Sequence, residues 1–425
     1  MIFVLLISLV ILFLIGVPVA ISLGLSSSLA LLVAGDIPLL TLAQRAFVSL
    51  DSFPLLAIPL FILAGALMEY GGISQRLINL ANAITGHVPG GLAIVTVVTT
   101  MFFAAISGSS VAATAALGGA ILIPAMTKRG YDKELASGVQ AVSGTLGIII
   151  PPSIPLILYG TAVGASIGDL FIAGMVPGVI IGIGLVITVY ILAKKRNYLK
   201  EPKKSGKEIG KAFVEAIPAI IMPVIILGGI YSGIFTATEA AGVAVAYAFV
   251  ISVFFYKAIT RENIKEILTQ ASVTTSTIMF ILATAGLFSW ILTIENIPQQ
   301  VAGIITSISD SPMIFLGIVV ILLLLVGMFM ETNASIIILA PILVPVAVEL
   351  GLDPVHFGIV MIVTLAIGMV TPPLGLNLFV VSKIGNVRID HLTKGLIPFY
   401  MAILICLIII TFIPSVTMSL VEWLK

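Results

Sequence analysis

Charge is what this sequence has least of. Only 9% of its 425 residues are Asp, Glu, Lys or Arg, 60% are hydrophobic, and the formal net charge is +1. No soluble core of this length needs so apolar a chain, and so small a net charge argues against nucleic acid as a partner. Cysteine is nearly absent: Cys406, in an apolar run, has no second cysteine to bridge to, so the redox compartment is not revealed. The three histidines, His87, His356 and His391, lack metal-ligand spacing and are expected in solvated loops. No Lys or Arg precedes the apolar run of residues 1–34, which argues against a signal peptide; Gly16-Val17-Pro18 divides it into short helices near 2–15 and 17–34.

What is present instead is apolar chain, and it repeats. Mean hydropathy is +1.26, and stretches near or above the ~20 residues that span lipid recur from end to end. A set of Gly, Pro and Asp residues returns 221 positions downstream in register. Gly65 answers Gly286, Pro124 answers Pro345, Gly130 answers Gly351 and Asp132 answers Asp353. Gly147, Pro151 and Pro152 map to Gly368, Pro372 and Pro373, and Asp169, Gly174 and Pro177 to Asp390, Gly395 and Pro398. These residue types fix unusual backbone geometry, and four of the seven aspartates take part, so composition explains the match poorly. The expectation is an all-α polytopic membrane protein built from two copies of one unit, residues 1–200 and 201–425. Halves with Gly/Pro-interrupted hydrophobic segments at matching positions point to a transporter whose site lies between them.

The basic residues supply the topology. Lys194, Lys195, Arg196, Lys200, Lys203, Lys204, Lys207 and Lys211 form one loop, which the positive-inside rule places in the cytoplasm. Counting from there gives five crossings per half, near 2–15, 17–34, 54–70, 132–165 and 171–193, then 212–233, 236–257, 272–293, 355–384 and 394–414. Five is odd, so the halves are inverted, and only Arg45 and Lys425 fall on the outer face. Segments 88–127 and 313–350 are expected as re-entrant hairpins, because the polar centres Ser107-Gly108-Ser109-Ser110 and Glu331-Thr332-Asn333-Ala334-Ser335 would be costly against lipid. Stretches 38–50, 73–86, 259–271 and 296–308 carry apolar residues at helical spacing, as Ile297, Val301, Ile304, Ile305 and Ile308 illustrate, and are expected as interfacial arms on the membrane lipid. Thr236 and Glu239 form a capping-box signal.

Two constellations carry the chemistry. Ser107, Ser109, Ser110 and Thr114 at one hairpin tip should face Gly147, Ile150, Pro151, Pro152 and Ser153 in the broken helix 132–165. Thr332, Asn333 and Ser335 should face Gly368, Thr371, Pro372, Pro373, Leu374, Gly375 and Asn377 in the broken helix 355–384. A Pro-Pro pair inside a membrane helix removes two amide donors and leaves carbonyls free at mid-membrane depth. Beside hydroxyls and an amide, these make a hard-oxygen cage suited to sodium. Helix N-termini at the same breaks suit a carboxylate, and the spans carry no Lys or Arg away from their ends to do so instead. Kinks and helix-packing hydroxyls are the plain alternative for either copy alone. Glu331, the only acid in the middle of an apolar run, aligns with Ser110, and an intramembrane carboxylate is functional by default. An intramembrane hydrolase using Ser and Glu331 is a poor fit, since no base is seen beside a nucleophile.

The run Ser52-Phe53-Pro54-Leu55-Leu56-Ala57-Ile58-Pro59-Leu60-Phe61-Ile62-Leu63-Ala64-Gly65, the segment from Phe103 to Thr114, and Gly147 to Pro152 with Gly368 to Pro373 resemble motifs of the large membrane subunit of tripartite ATP-independent periplasmic (TRAP) transporters. The likeness covers essentially the whole chain. It implies an elevator-type fold in a bacterial inner membrane, with sodium-driven uptake, a small membrane subunit and a periplasmic substrate-binding protein as partners, and no organic cofactor. It places one sodium site at Ser107, Ser109, Ser110, Gly147, Ile150 and Pro151, and the other at Thr332, Asn333, Gly368, Thr371 and Leu374. The cargo, a small carboxylate such as sialic acid or a C4-dicarboxylate, would sit between the tips, against Ser109, Thr114, Ser153, Asn333, Ser335, Gly375 and Asn377. A free-standing sodium/carboxylate symporter without a binding protein is the alternative.

Overall fold

The computed structural model describes residues 1–35, 37–196, 198, 202–308 and 311–424, without the side chains of 104–107, 120 and 304–308. The expectations placed on the side chains of Ser107, Ile304, Ile305 and Ile308, and on Lys200 and Lys425, therefore lie outside the described residues. All regular structure among the described residues is helical. Eight of these helices are long and apolar enough to cross a membrane: Phe53–Tyr70, Ile167–Lys195, Gly206–Tyr231, Ala237–Phe255, Arg261–Ile294, Pro312–Phe329, Thr332–Glu349 and Ile389–Phe412.

Each expected hairpin is a pair of helices turning over a short polar break. The first joins Gly91–Ser107 to Ser110–Leu117 through Gly108, whose φ of +58° suits a residue without Cβ. Its second limb runs on through a π turn at Gly118–Leu122 into Ile123–Lys128. The second hairpin joins Pro312–Phe329 to Thr332–Glu349. Both predicted broken helices are broken at the Pro-Pro pairs. Lys133–Gly144 continues as a 3-10 turn, Thr145–Ile148, then stops before Pro151-Pro152 and restarts as Ile154–Val163. Pro354–Gly368 stops before Pro372-Pro373 and restarts as Leu376–Gly385. Both Pro-Pro peptide bonds are cis, and Gly130 and Gly351, ahead of the two broken helices, share a φ of +82°.

The two halves interlock through the short helices that follow the breaks. Ile154–Val163, from the first half, packs against the second hairpin limb Thr332–Glu349. Leu376–Gly385, from the second half, packs against Ser110–Leu117 and Lys133–Gly144. Tyr159, fully buried, donates to the Pro354 carbonyl at 2.6 Å, and its ring fills the space a Cβ on Gly358 would need. Around this unit stands a frame in which Ala57–Tyr70 packs on Ala237–Val250 and Arg261–Ile294, and Val19–Ala34 packs on Arg261–Ile294. The Ser252 hydroxyl donates to the Leu67 carbonyl across that frame.

Several expectations need correction. The arm at 259–271 and the crossing at 272–293 are one helix, Arg261–Ile294, of 34 residues. In the first half Leu40–Leu50 is a separate helix, cut from Ala57–Tyr70 by Asp51, Ser52 and the 3-10 turn Phe53–Leu56 with Pro54. At the position 221 residues after Pro54 stands Thr275, which cannot break a helix in that way. His356 is not in a solvated loop: it lies buried in Pro354–Gly368, with Nδ1 2.8 Å from the Thr417 hydroxyl. His391 is exposed but sits in the first turn of Ile389–Phe412, whereas His87 is exposed outside any helix. Thr417 belongs to a terminal helix, Ser415–Leu424, which the hydropathy pattern had not singled out. The cap at Thr236 and Glu239 is present as expected, with side chain and backbone bonded both ways.

Gly368 is pressed against the second hairpin, since a Cβ there would stand 2.6 Å from the Gly327 Cα. Gly368→Ala is therefore expected to lower stability by about 1–3 kcal/mol through overpacking. Gly317→Ala, where a Cβ meets nothing within 4 Å, should change the melting temperature little. Equal melting of the two variants in detergent would refute the close contact. Thr417→Val leaves the buried His356 ring without its hydroxyl partner and is expected to cost about 1–3 kcal/mol, with faster proteolysis of the terminal helix.

Candidate functional site

The tip of the first hairpin is held backbone to backbone against the first break. A Cβ on Gly147 would lie 2.7 Å from the Ser109 carbonyl oxygen, and one on Gly108 would lie 3.2 Å from that of Pro152. The approach at Gly147 leaves no room for a Cβ, and at Gly108 a tight contact adds to a φ that already favours glycine. Ser109 caps the second limb, its hydroxyl accepting from the Ala112 N–H at 3.4 Å. Pro151 and Pro152 offer no N–H to the carbonyls of Gly147 and Ile148 four residues earlier. Ser153 answers for Ile148, donating to its carbonyl at 2.6 Å, and caps Ile154–Val163.

Behind this tip three polar side chains from both halves meet over Gly144. The Thr114 hydroxyl donates to the Ser110 carbonyl at 2.8 Å. Asn377 reaches across from the second half, and its Nδ2 donates to the Ser110 hydroxyl at 2.8 Å and to the Ala141 carbonyl at 3.2 Å. A Cβ on Gly144 would collide with Thr114 and lie 3.2 Å from the Asn377 amide. Asn377 is fully buried, and its Oδ1 has no hydrogen-bond partner.

The tip of the second hairpin meets the second break in a related way. The Gly375 N–H donates to the Met328 carbonyl at 3.0 Å, with Gly375 at a φ of +52°. Thr332 is buried with its hydroxyl 3.1 Å from Met369 Sδ. The Met369 carbonyl, whose helical donor position is Pro373, accepts instead from the Asn377 N–H at 3.0 Å. Glu331 caps the second limb, its Oε2 accepting from the N–H groups of Asn333 and Ala334 at 3.0 and 3.4 Å. The Asn333 Nδ2 donates to Glu331 Oε1 at 2.8 Å, and Asn333 Oδ1 is buried without a partner.

The structure thus brings Ser109, Ser110, Thr114, Gly147 and Asn377 together at one tip, and Thr332, Asn333, Gly368 and Gly375 at the other. Ser153 and Ser335 are buried beside them with hydroxyls already donating to Ile148 and Glu331 carbonyls. The Thr371 hydroxyl donates to the Ile367 carbonyl within its own helix end, and Leu374 is 37% exposed. Ile150 and Pro151 also line an apolar cavity of about 610 Å³ against Ile220, Pro223, Val224 and Leu227 of Gly206–Tyr231. The sequence alignment pairs Glu331 with Ser110, but the residue that caps the matching limb is Ser109. Gln140 was missed: it is fully buried, donates to the Ala113 carbonyl at 3.2 Å and keeps Oε1 unpartnered. Its signal was a lone amide in the apolar run 135–149, one helical turn before Gly144.

Comparison with known proteins agrees with this architecture. Residues 6–416 match the family model described as Tripartite ATP-independent periplasmic transporter, DctM component. The C4-dicarboxylate TRAP transporter large permease protein DctM of Pseudomonas aeruginosa is 44% identical over 95% of this chain and 94% of its own. The sialic acid TRAP transporter large permease protein SiaM of Vibrio cholerae is 38% identical over 96% of this chain and 95% of its own. The isethionate TRAP transporter permease protein DctMQ of Oleidesulfovibrio alaskensis is 44% identical over 95% of this chain, which spans only 64% of that longer protein. Among solved structures, the YdaH transporter of Alcanivorax borkumensis superposes with a TM-score of 0.59 at 15% identity, covering 87% of this chain and 86% of that one, a likeness of fold alone. These relatives are transporter permeases rather than enzymes, and this integral membrane protein belongs to the DctM component family of tripartite ATP-independent periplasmic transporters.

Proposed function

We propose that the chain is the large permease subunit of a sodium-coupled importer of a small organic acid, working with a small membrane subunit and a periplasmic substrate-binding protein in a bacterial inner membrane. The observation that carries the sodium reading is the pair of buried amide oxygens, Asn333 Oδ1 and Asn377 Oδ1, left without hydrogen-bond partners at the two hairpin-and-break junctions. A buried acceptor without a donor is costly, and a hard cation is the ligand that suits it. Each junction adds hydroxyls, Ser109 and Ser110 at the first and Thr332 and Thr371 at the second, and the first adds the Gly147 carbonyl, whose helical donor position is Pro151. The repeat read from the sequence supports two inverted halves, 1–200 and 201–425, each giving one hairpin and one break, with the second half lending Asn377 to the first junction.

The cargo lies between the two tips. Relatives named for C4-dicarboxylate, sialic acid and isethionate share anionic, small and polar substrates, which fits a site built from helix N-termini and bound cations. Membership in a tripartite family favours delivery by a binding protein over a free-standing symporter. In the elevator reading, the interlocked hairpins and broken helices move as one body against the frame of Val19–Ala34, Ala57–Tyr70, Ala237–Val250 and Arg261–Ile294.

Uptake in proteoliposomes carrying both membrane subunits, with binding protein outside and an inward sodium gradient, tests this directly. Transport is expected only with all three components and sodium. Asn333→Ala and Ser109→Ala should each raise the sodium concentration for half-maximal uptake about tenfold or more, the effect of losing ~1.4 kcal/mol of cation binding. Unchanged sodium dependence in both would sink the site assignment, and equal uptake without the binding protein would restore the free-standing alternative.

A further inference from the structure

The two tips differ in charge. The first hairpin holds no Asp or Glu anywhere between residues 88 and 131, and its second limb is capped by a neutral hydroxyl, Ser109. The second is capped by a carboxylate, Glu331, in the same structural place. Taken with the sodium reading above, on which this inference rests, we propose that Glu331 is the positioning residue of the second cation site. Its carboxylate orients the Asn333 amide so that Oδ1 faces the ion, and its charge makes this the site that fills before substrate arrives.

The orientation follows from donor and acceptor chemistry. The two ends of an amide have nearly the same shape, so the partner decides which way it turns. Beside a bound cation the Glu331 carboxylate is ionised and only accepts, and it already spends Oε2 on the Asn333 and Ala334 N–H groups. Its Oε1 can therefore take only the NH2 end of Asn333, at 2.8 Å, which sends the oxygen the other way. That oxygen is the one found buried and unpartnered. The Ser335 hydroxyl donates to the Glu331 main-chain carbonyl at 3.0 Å, fixing the same turn from behind.

The order of filling follows from electrostatics. In a low-dielectric interior a cation beside a carboxylate is neutralised at once, whereas one held only by dipoles leaves a net positive charge that is expensive until an anion joins it. The second tip carries its own counter-charge, and the first must borrow that of the substrate. Sodium is thus expected at the Glu331 tip without substrate, and at the Ser109 tip only with it.

Thermal unfolding of the purified membrane complex in sodium chloride against choline chloride, without substrate, is the test. Wild type and Ser109→Ala are expected to melt higher in sodium. Glu331→Gln, which can still cap the helix but also offers an NH2 end to Asn333, is expected to lose that rise while melting as wild type does in choline. Glu331→Asp should retain part of it. Asn333→Asp in the Glu331→Gln background supplies both oxygen and charge regardless of orientation and should restore it. A full sodium rise in Glu331→Gln, or loss of the rise in Ser109→Ala with retention in Glu331→Gln, would overturn the role of Glu331 while leaving sodium coupling intact. No sodium effect on wild type, with or without substrate, would instead overturn the sodium reading and this inference with it.

Discussion

The architecture depends on how the chain satisfies backbone groups that two Pro-Pro pairs strip of their helical partners deep in an apolar body. Lipid supplies no hydrogen bonds, so protein must. The residues after each break answer for the carbonyls, Ser153 for Ile148 and Asn377 for Met369, and a hairpin tip closes over each in backbone contact, through Gly108 and Gly147 at one break and Gly327, Gly368 and Gly375 at the other. The restarted helix then docks on the opposite half. Ile154–Val163 rests on the second hairpin, while Leu376–Gly385 rests on the first and delivers Asn377 to Ser110. Each restarted helix rests on the half it does not belong to, which is why the polar groups of two distant segments end in one place.

Much of this was legible because proline and glycine write backbone geometry directly into sequence. The breaks at Pro151-Pro152 and Pro372-Pro373 and the turns at Gly108 and Glu331 fall at their expected places, and the helices flanking them begin and end within a few residues of the expected bounds. The family resemblance had the same basis, since its motifs are these same turns. What could not be read was tertiary context. His356 reads as a loop residue at the edge of an apolar run, but its burial is decided by Ser415–Leu424 folding back over it. The fusion of arm and crossing in Arg261–Ile294 depended on an absence, Thr275 standing where the first half has Pro54.

Side-chain partners were the least legible part of the site. Periodicity places Asn377 and Ser110 on their own helices, 267 residues apart, and says nothing of their meeting. Likewise Glu331 and Asn333 are neighbours in any reading, yet only the local turn shows the carboxylate holding the amide by its nitrogen. Thr371 and Leu374, taken from the resemblance, lie at the edge of the second junction rather than within its hydrogen-bonded centre. The first break is buried throughout Pro151, Pro152 and Ser153, while Pro373 and Leu374 of the second are exposed.

The unbroken helix Arg261–Ile294 gives the frame an asymmetry of stiffness. At 34 residues it is about 51 Å long, well beyond a hydrocarbon layer of ~30 Å, so one rod unites a charged start at Arg261 and Lys265 with an apolar span. Its counterpart, Leu40–Leu50, is separated from Ala57–Tyr70 by the Phe53–Leu56 turn and packs back on the long helix, where Ser49 closes on Gly286 and the Arg45 guanidinium lies 4.6 Å over the Trp290 ring. The turn at Pro54 thus folds the first arm back onto the second half's long helix, and one unbroken rod carries both.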